Sequence, residues 1–528
     1  MTIGLITLHI PSPFNFTSCS LPLMRIAQVV HGFPPDSLGG TETYAAQISS
    51  ALQERGHEVS VFTRSNDTRR DEFSVETVTR DNLLITQVNN TFRYLSDFTQ
   101  SYDNPRITQQ FSAFLDRISP DVVHVHHLMY LSTGCVQEAI RRNIPVVMTL
   151  HDYWLICQRG RFLKPDLSVC SGQTDDGCAR CFAHLLAGKL TPMYQRFKPA
   201  PGTHLWLRDL LRWAHAKYVA VRPAPPQAQA QINQRMQHIR ELCRQVSLFL
   251  APSRFLREQF LAFGVPPEKI IFSECGLPAL STSDNGGQPV MPAQPVPSPY
   301  WGARVQTANT KGGEDSIADF LNPHPSPLPK GEGIFAGMTE MPQKDTPNRP
   351  LVFGYIGVVD PVKGIHHLVE AFEPLTTAEL RIYGGETDYA PYPDRAQFLA
   401  QLRRSPHIRM IGRYAHDELG RILGEVDVVV VPSIWYENAP LVIREAFLAK
   451  KPVVTAAFGG MPEWIQEGVN GLLFRPRDVA DLRRTLERFI SAPSLVEKLS
   501  HQFPRVQSIE ADAEVLEGYY RELINRSI

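Results

Sequence analysis

Twice along its length this chain repeats one rhythm: a short, almost wholly apolar run, a polar turn, then a longer stretch of helical character. The first passage covers about 24–275, with strand-like runs near 24–31, 58–63, 121–126, 145–149, 246–251 and 269–273. The second covers about 350–505, with runs near 351–358, 379–384, 408–411, 427–432, 452–456 and 471–474. Helical stretches fall between them, such as 41–55, which Gly56 brings to a stop. Runs as β-branched and apolar as Val428 to Val431 belong in strands covered on both faces. Alternation of such strands with helices predicts an α/β protein with two Rossmann-like, doubly wound domains and parallel sheets.

With 528 residues, 43% of them hydrophobic, the chain can bury more than one core. Residues 281–349 break the rhythm. Eleven are proline, with Gly, Ser, Gln and Asn around them, too polar a mixture to offset the entropy of ordering. This segment is expected to be a disordered insert in the interdomain linker; a proline-rich docking site is the alternative. Residues 1–23 lack the basic start of a secretory signal, and the better strand opens at Met24, so they are expected to be a disordered extension or a misassigned start. The last helix, near 509–525, has one apolar face and is expected to pack back on the body.

Lys plus Arg number 53 and Asp plus Glu 54, a balance that argues against nucleic acid as a partner. No run approaches the ~20 apolar residues of a spanning helix. Cytoplasmic residence is the expectation, with the eight cysteines mostly thiols or ligands.

Four groups of residues fall at strand ends, where open α/β sheets bind ligands. The first is Val431-Pro-Ser-Ile-Trp-Tyr-Glu-Asn-Ala-Pro-Leu-Val-Ile-Arg-Glu445, with a helix expected from Pro440. Glu437 stands just before a helix N-terminus suited to an anion. Glu445 stands among apolar residues and needs a partner such as a ribose diol. The second is Gly354-Tyr-Ile-Gly-Val-Val-Asp-Pro-Val-Lys-Gly364, where Gly357 admits close backbone approach and Lys363 meets a helix entrance. The third is the turn holding Gly39 and Gly40, a second anion cradle or a plain βα turn. The fourth is Thr149-Leu-His-Asp152, placing His151 at a strand's carboxyl edge. Each taken alone has an ordinary structural reading; their joint occurrence in two α/β units is the specific signal.

In these motifs the chain resembles the group 1, or family 4, glycosyltransferases of GT-B architecture, over roughly 24–275 and 350–505. The resemblance implies two domains facing a cleft: 24–280 on the acceptor side, 350–505 binding a UDP- or GDP-linked sugar, and 506–528 packing back. It implies retaining transfer from a nucleotide sugar to a glycan, lipid-linked or other hydroxyl, in cell-surface polysaccharide or glycolipid synthesis. Glu437, Lys363 and His151 would be catalytic. Gly39, Gly40, Gly357, Arg413, Tyr414, Asn438, Ala439, Leu441 and Glu445 would bind the donor. No metal cofactor is implied for catalysis. Many relatives carry an arginine where this chain has Val358, and Arg413 is the candidate substitute. Gly276-Leu-Pro278 also departs from the family's usual Asn-Gly. A nucleotide-sugar epimerase or an inactive nucleotide-sugar-binding scaffold are the competing readings.

Cys157, Cys170, Cys178 and Cys181 lie within 25 residues, so a structural zinc site, incidental thiols and redox chemistry all stay open. The segment 203–245, with Trp206, Leu207, Leu210, Leu211 and Trp213, reads either as a helix touching the inner face of the membrane or as one packing on the acceptor domain.

Overall fold

The computed structural model describes residues 23–92, 97–164, 167–172, 177–181, 226–280, 349–385 and 395–527. The expected extension 1–23 and insert 281–349 lie outside these but for one terminal residue each, as does the tryptophan-bearing part of 203–245. Among the described residues no helix is long and apolar enough to cross a membrane.

The first sheet has eight strands: β1 (Arg25–Val29), β2 (Glu58–Ser65), β3 (Val75–Arg80), β4 (Leu83–Asn89), β5 (Val122–Val125), β6 (Val146–Thr149), β7 (Leu248–Ala251) and β8 (Ile270–Phe272). Their order is β3-β4-β2-β1-β5-β6-β7-β8, and every pairing is parallel except β3 with β4. The second sheet is wholly parallel: β9 (Val352–Ile356), β10 (Glu379–Tyr383), β11 (Ile408–Gly412), β12 (Val428–Val431), β13 (Val453–Ala456) and β14 (Gly471–Phe474), in the order β11-β10-β9-β12-β13-β14. Both are covered by helices, which is why the central strands β5, β6, β12 and β13 are buried at every position. The fold is therefore α/β with two Rossmann-like domains, as the rhythm predicts.

Strand order reverses between β1 and β5 in one sheet and between β9 and β12 in the other. These switch points open crevices at the strands' carboxyl ends. All four sequence groups leave strands that border or adjoin them.

The β3–β4 hairpin escapes the sequence reading. Its two-residue turn, Asp81-Asn82, has φ of 48° and 61°, the left-handed pair such hairpins prefer. Because β3 is an edge strand with mostly exposed side chains, it carries no apolar run to announce it.

The C-terminal helix, Ile509–Ser527, follows the second domain in sequence but packs on helix Gly40–Glu54 of the first. The crossing is pinned by Leu277, whose N–H donates to Gln507 O (3.0 Å) and whose carbonyl accepts from Ile509 N (2.9 Å). Asp512 accepts from Gly276 N and Tyr44 Oη, both at 2.7 Å. Tyr520, wholly buried, meets His124 Nδ1 at 2.5 Å. Replacing Tyr520 with alanine should cost on the order of 3–5 kcal/mol. A clear fall in the urea midpoint of the full-length chain is the expected reading; an unchanged midpoint would show that this helix is dispensable.

Candidate functional site

In the second domain the loop after β9 carries Gly357 and Lys363. Asp360 Oδ1 accepts from Val362 N at 2.9 Å and caps a 3-10 turn, Pro361–Lys363, that leads into helix Ile365–Phe372. Gly364 has φ of 71°, and a Cβ there would lie 1.9 Å from the Pro432 carbonyl oxygen. Only glycine lets this turn seat against the end of β12. That seating brings Lys363 Nζ to 2.7 Å from Glu437 Oε1.

Glu437 is 6% exposed. The same oxygen, Oε1, also accepts from Ser433 Oγ (2.6 Å) and Trp435 Nε1 (2.7 Å). A buried carboxylate is costly without such donors. Helix Leu441–Leu448 begins one residue later than expected, with Pro440 as its non-helical N-cap (φ −59°, ψ 121°) and Ala439 just before it. Leu441 reaches across to the first domain, where a Cβ on Gly40 would lie 3.7 Å from its Cδ1.

Glu445 lies further along this helix, 9% exposed, and among the described residues no donor reaches its carboxylate. Burial pushes its pKa up to about 7, and Arg444 opposes the shift only partly. Tyr414 is close enough to feel that charge: burial, then Glu445, raises its phenol. Arg413 lies across Gly385, where a Cβ would meet its Nε at 2.5 Å. It thus borders the ends of β10 and β11 beside Tyr414. Arg444 points the other way; its guanidinium, wholly buried, donates to the Cys275 carbonyl and sits 5.1 Å from the Trp464 ring.

The first domain faces this with imidazoles. His151 Nε2 lies 3.3 Å from His126 Nδ1, and His126 Nε2 lies 2.7 Å from Gln28 Oε1. Since Gln28 Oε1 only accepts, His126 carries its proton on Nε2 and accepts from His151 Nε2–H. His151 Nδ1 is left as an acceptor. Burial and the neighbouring His126 and His127 hold His151 well below 6.5, so it is neutral near pH 7. His127 accepts from Met129 N on Nδ1 and donates from Nε2 to Asp152 at 3.1 Å. Burial works against the Asp152 charge, but His127 and the Trp154 N–H outweigh it and keep its pKa below the ordinary value. His126, His127, His151, Asp152 and Trp154 line one small cavity.

Gly39 is the N-cap of helix Gly40–Glu54, yet the expected anion cradle there holds the protein's own carboxylate. Glu42 folds back so closely that a Cβ on Gly39 would meet its Oε2 at 2.3 Å, while its Oε1 accepts from Ser37 Oγ (2.7 Å) and lies 3.4 Å from His31 Nε2. The glycine pair thus stands against Glu42 on one side and, through Gly40, against Leu441 of the second domain.

Asn438 binds the two domains together. Its Nδ2 donates to Leu150 O at 3.0 Å, beside His151, and its Oδ1 accepts from Ser253 Oγ at 2.5 Å. Tyr436 stacks on Phe255 (5.1 Å) and Phe458 (4.3 Å), and Glu463 accepts from the backbone N–H groups of Arg254 (2.8 Å) and Phe255 (2.6 Å). The structure thus brings Glu437, Lys363 and Asn438 together at the seam, with His151 next to Leu150 on the facing side.

The cysteines do not form the ligand set expected of a zinc site. Among the described residues no group of three or more His, Cys, Asp or Glu side chains is placed to hold a metal ion. Cys170 directs its thiol at Gly172 O (3.1 Å), and burial pushes the Cys181 thiol up to about 12. All four are cysteine thiols of intermediate burial, and Cys157, Cys170 and Cys178 pack against the first domain's core. The described part of 203–245, helix Pro226–Gln245, buries Ile232, Met236, Ile239 and Leu242 in the first domain's core.

Sequence reading passed over Ser433, Trp435, Glu42, His126 and His127. The run Val122-Val-His-Val-His-His127, a buried strand ending in imidazoles, was the available signal for the last two.

Two facing Rossmann-like domains, each with a crevice at its switch point and with charged groups of one opposite imidazoles of the other, define a GT-B protein. Residues 338–505 match the family described as glycosyl transferases group 1, and residues 39–276 match the glycosyl transferase 4-like domain. The chain belongs to the group 1 glycosyltransferases. It is 31% identical over 145 residues to a D-inositol 3-phosphate glycosyltransferase of Mycobacterium sp. (strain KMS), covering 27% of this chain and 33% of that one. It is likewise 31% identical over 150 residues to a glycogen synthase of Mycobacterium tuberculosis (strain H37Rv), covering 27% and 35%. The match spans about a third of the length of these curated relatives. Among solved structures it is similar to sucrose-phosphate synthase from Thermosynechococcus elongatus (TM-score 0.57, 17% identity, 95% of this chain and 100% of that one). It is similar also to Anabaena Alr3699/HepE in complex with UDP and glucose (TM-score 0.55, 13% identity, 94% and 99%). At such identities the likeness is one of fold.

Because Gly364 combines a left-handed φ with contact to Pro432, Gly364→Ala should destabilise the second domain by roughly 2 kcal/mol or more. Thermal unfolding checks this; a melting curve superimposable on wild type would contradict it.

Proposed function

We propose that the chain transfers a sugar from a UDP- or GDP-linked donor to a hydroxyl of a glycan or lipid-linked acceptor, with retention at the reacting carbon. The observation that carries this reading is the meeting of Glu437 and Lys363, 2.7 Å apart, at a strand-end crevice facing neutral His151. Structural neighbours solved with UDP and glucose, and with ADP and acarbose, support a nucleoside diphosphate donor. Service in cell-surface polysaccharide or glycolipid synthesis, at the inner face of the membrane, is part of the same proposal.

On this reading the donor's ribose lies at Glu445 and Tyr414, its diphosphate at Lys363 and Gly357, and its sugar between Glu437 and His151. The bond from the sugar's anomeric carbon to the phosphate oxygen breaks, and the diphosphate leaves with the electron pair. Lys363 offsets the charge it gains. The acceptor oxygen bonds to the anomeric carbon from the face the diphosphate leaves, and the departing phosphate takes its proton. Glu437 holds sugar hydroxyls through an oxocarbenium-like state. His151, neutral and with Nδ1 free to accept, orients a sugar hydroxyl without adding positive charge. Holding both reactants in register adds to that charge stabilisation.

A donor panel with mass-spectrometric detection of transfer or slow hydrolysis tests the activity. Lys363→Ala and Glu445→Ala should each lose transfer by about a hundredfold or more while keeping the fold, Lys363→Ala with a lowered melting temperature because Glu437 loses a donor. Wild-type rates in both would sink the assignment.

The Glu445 shift yields a pH dependence. With a pKa near 7 the carboxyl is protonated below that value and ionised above it. If the ionised form accepts the ribose hydroxyls, affinity for the intact sugar nucleotide should fall about tenfold from pH 8 to pH 6. Calorimetric titration should find that fall in wild type and a flat profile in Glu445→Gln. A wild-type profile that is itself flat would remove Glu445 from the ribose site.

A further inference from the structure

A donor diphosphate at Lys363 puts two anions on one ammonium. Lys363 Nζ already donates to Glu437 Oε1 at 2.7 Å. Once the ammonium also faces phosphate its attraction is divided, and Glu437 must be held beside a like charge by donors that carry none. It has two, Ser433 Oγ at 2.6 Å and Trp435 Nε1 at 2.7 Å, both on that same oxygen. Among the described residues no donor reaches Oε2. One oxygen is anchored and the other is left to accept, so the anchor decides where Oε2 points.

The two neutral donors differ in kind. A serine hydroxyl rotates, and its hydrogen follows whatever acceptor is near. An indole N–H lies in the ring plane, so its direction is set by how the ring is packed. Three contacts fix Trp435. A tight turn closes on it, with Glu437 N donating to Trp435 O at 2.8 Å. The residue before it is tied on both sides: Ile434 N donates to Val362 O (3.0 Å), next to Lys363, and Ile434 O accepts from Arg477 (2.8 Å). Finally, Trp435 and Tyr436 pack against the core of the first domain, although both belong to the second. The centroid of the indole lies 5.5 Å from Lys363 Nζ.

An indole at a domain seam ordinarily serves packing, and its N–H takes an acceptor within reach. Here the acceptor is the buried carboxylate beside the ammonium, and the ring that aims at it rests on the opposite domain. We propose that Trp435 is a positioning residue for Glu437: its N–H holds Oε1 when Lys363 is shared with the diphosphate, so that Oε2 stays turned toward a hydroxyl of the donor sugar. This rests on the donor-site reading above. It also makes the sugar's part of the site depend on the engagement of the two domains, because the first domain's core sets the ring that sets the carboxylate.

Calorimetry on the full-length chain tests this, with UDP-glucose, GDP-mannose and ADP-glucose as probes and UDP, GDP and ADP as their sugar-free counterparts. Trp435→Phe keeps a ring against the seam and removes the N–H. It should weaken the sugar nucleotide that wild type binds about tenfold more than the matching diphosphate, the low end of what one hydrogen bond to a charged group contributes. In a Glu437→Ala background the same exchange should leave that ratio unchanged, since the N–H then has no carboxylate to hold. Wild-type affinities in Trp435→Phe overturn the proposal. Equal losses for sugar nucleotide and diphosphate overturn it too, since they mark a packing role, as does a further tenfold sugar-specific loss in the Glu437→Ala background. Should Trp435→Phe fail to fold, benzothienylalanine at position 435, which keeps the indole's shape and lacks its N–H, is read by the same criteria. If wild type binds none of the six probes, the donor-site reading falls and takes this inference with it; binding by wild type with no sugar-specific loss in the variant leaves that reading standing and removes Trp435 alone.

Discussion

One carboxylate oxygen, Oε1 of Glu437, accepts from an ammonium, a hydroxyl and an indole within 2.7 Å. Such a buried charge would be prohibitive unless all three donors were held in place. The local fold meets that requirement. Gly364 seats against Pro432 so that Lys363 reaches inward, and the loop after β12 curls so that Ser433 and Trp435 turn back on Glu437. The next residue, Asn438, then ties this knot to Leu150 and Ser253 of the other domain. Site and seam are thus built from adjacent residues, and disturbing one disturbs the other.

The two faces of the cleft differ in kind. The second domain supplies charge: Lys363, Glu437, and a carboxyl at Glu445 whose pKa burial lifts to about 7. The first supplies His126 and His151, which burial keeps neutral, with His124 behind them lowered to about 3. A chain of hydrogen bonds from Gln28 through His126 to His151 sets which nitrogen carries each proton. Behind them the C-terminal helix braces Tyr44 through Asp512 and His124 through Tyr520, so the end of the chain supports the wall opposite the second domain.

Much of the fold was legible because doubly buried strands have no freedom in composition. Val428 to Val431 could be little else. The β3–β4 hairpin was not, since an edge strand with exposed side chains carries a weak pattern. That Glu437, Lys363 and His151 stand just past strand ends was legible too. Glu42 was not: a first-turn acid looks like ordinary helix capping until its side chain is seen to fold against Gly39 and Ser37. Trp435 was quoted within the Glu437 motif but given no role, because an aromatic in an apolar context reads as core. The four cysteines show the reverse: nearness in sequence left a zinc site open beside incidental thiols and redox chemistry, and the described residues form no ligand set.

Local pattern by itself determined the α/β class, the two domains and the strand ends on which the charged groups stand. Those follow from periodicity and burial, which act residue by residue along the chain. What only the tertiary structure decided was which groups meet. Lys363 and Glu437 are 74 residues apart, and Asn438 and Leu150 are 288 apart. Such pairings depend on strand order at two switch points and on how one domain sits against the other.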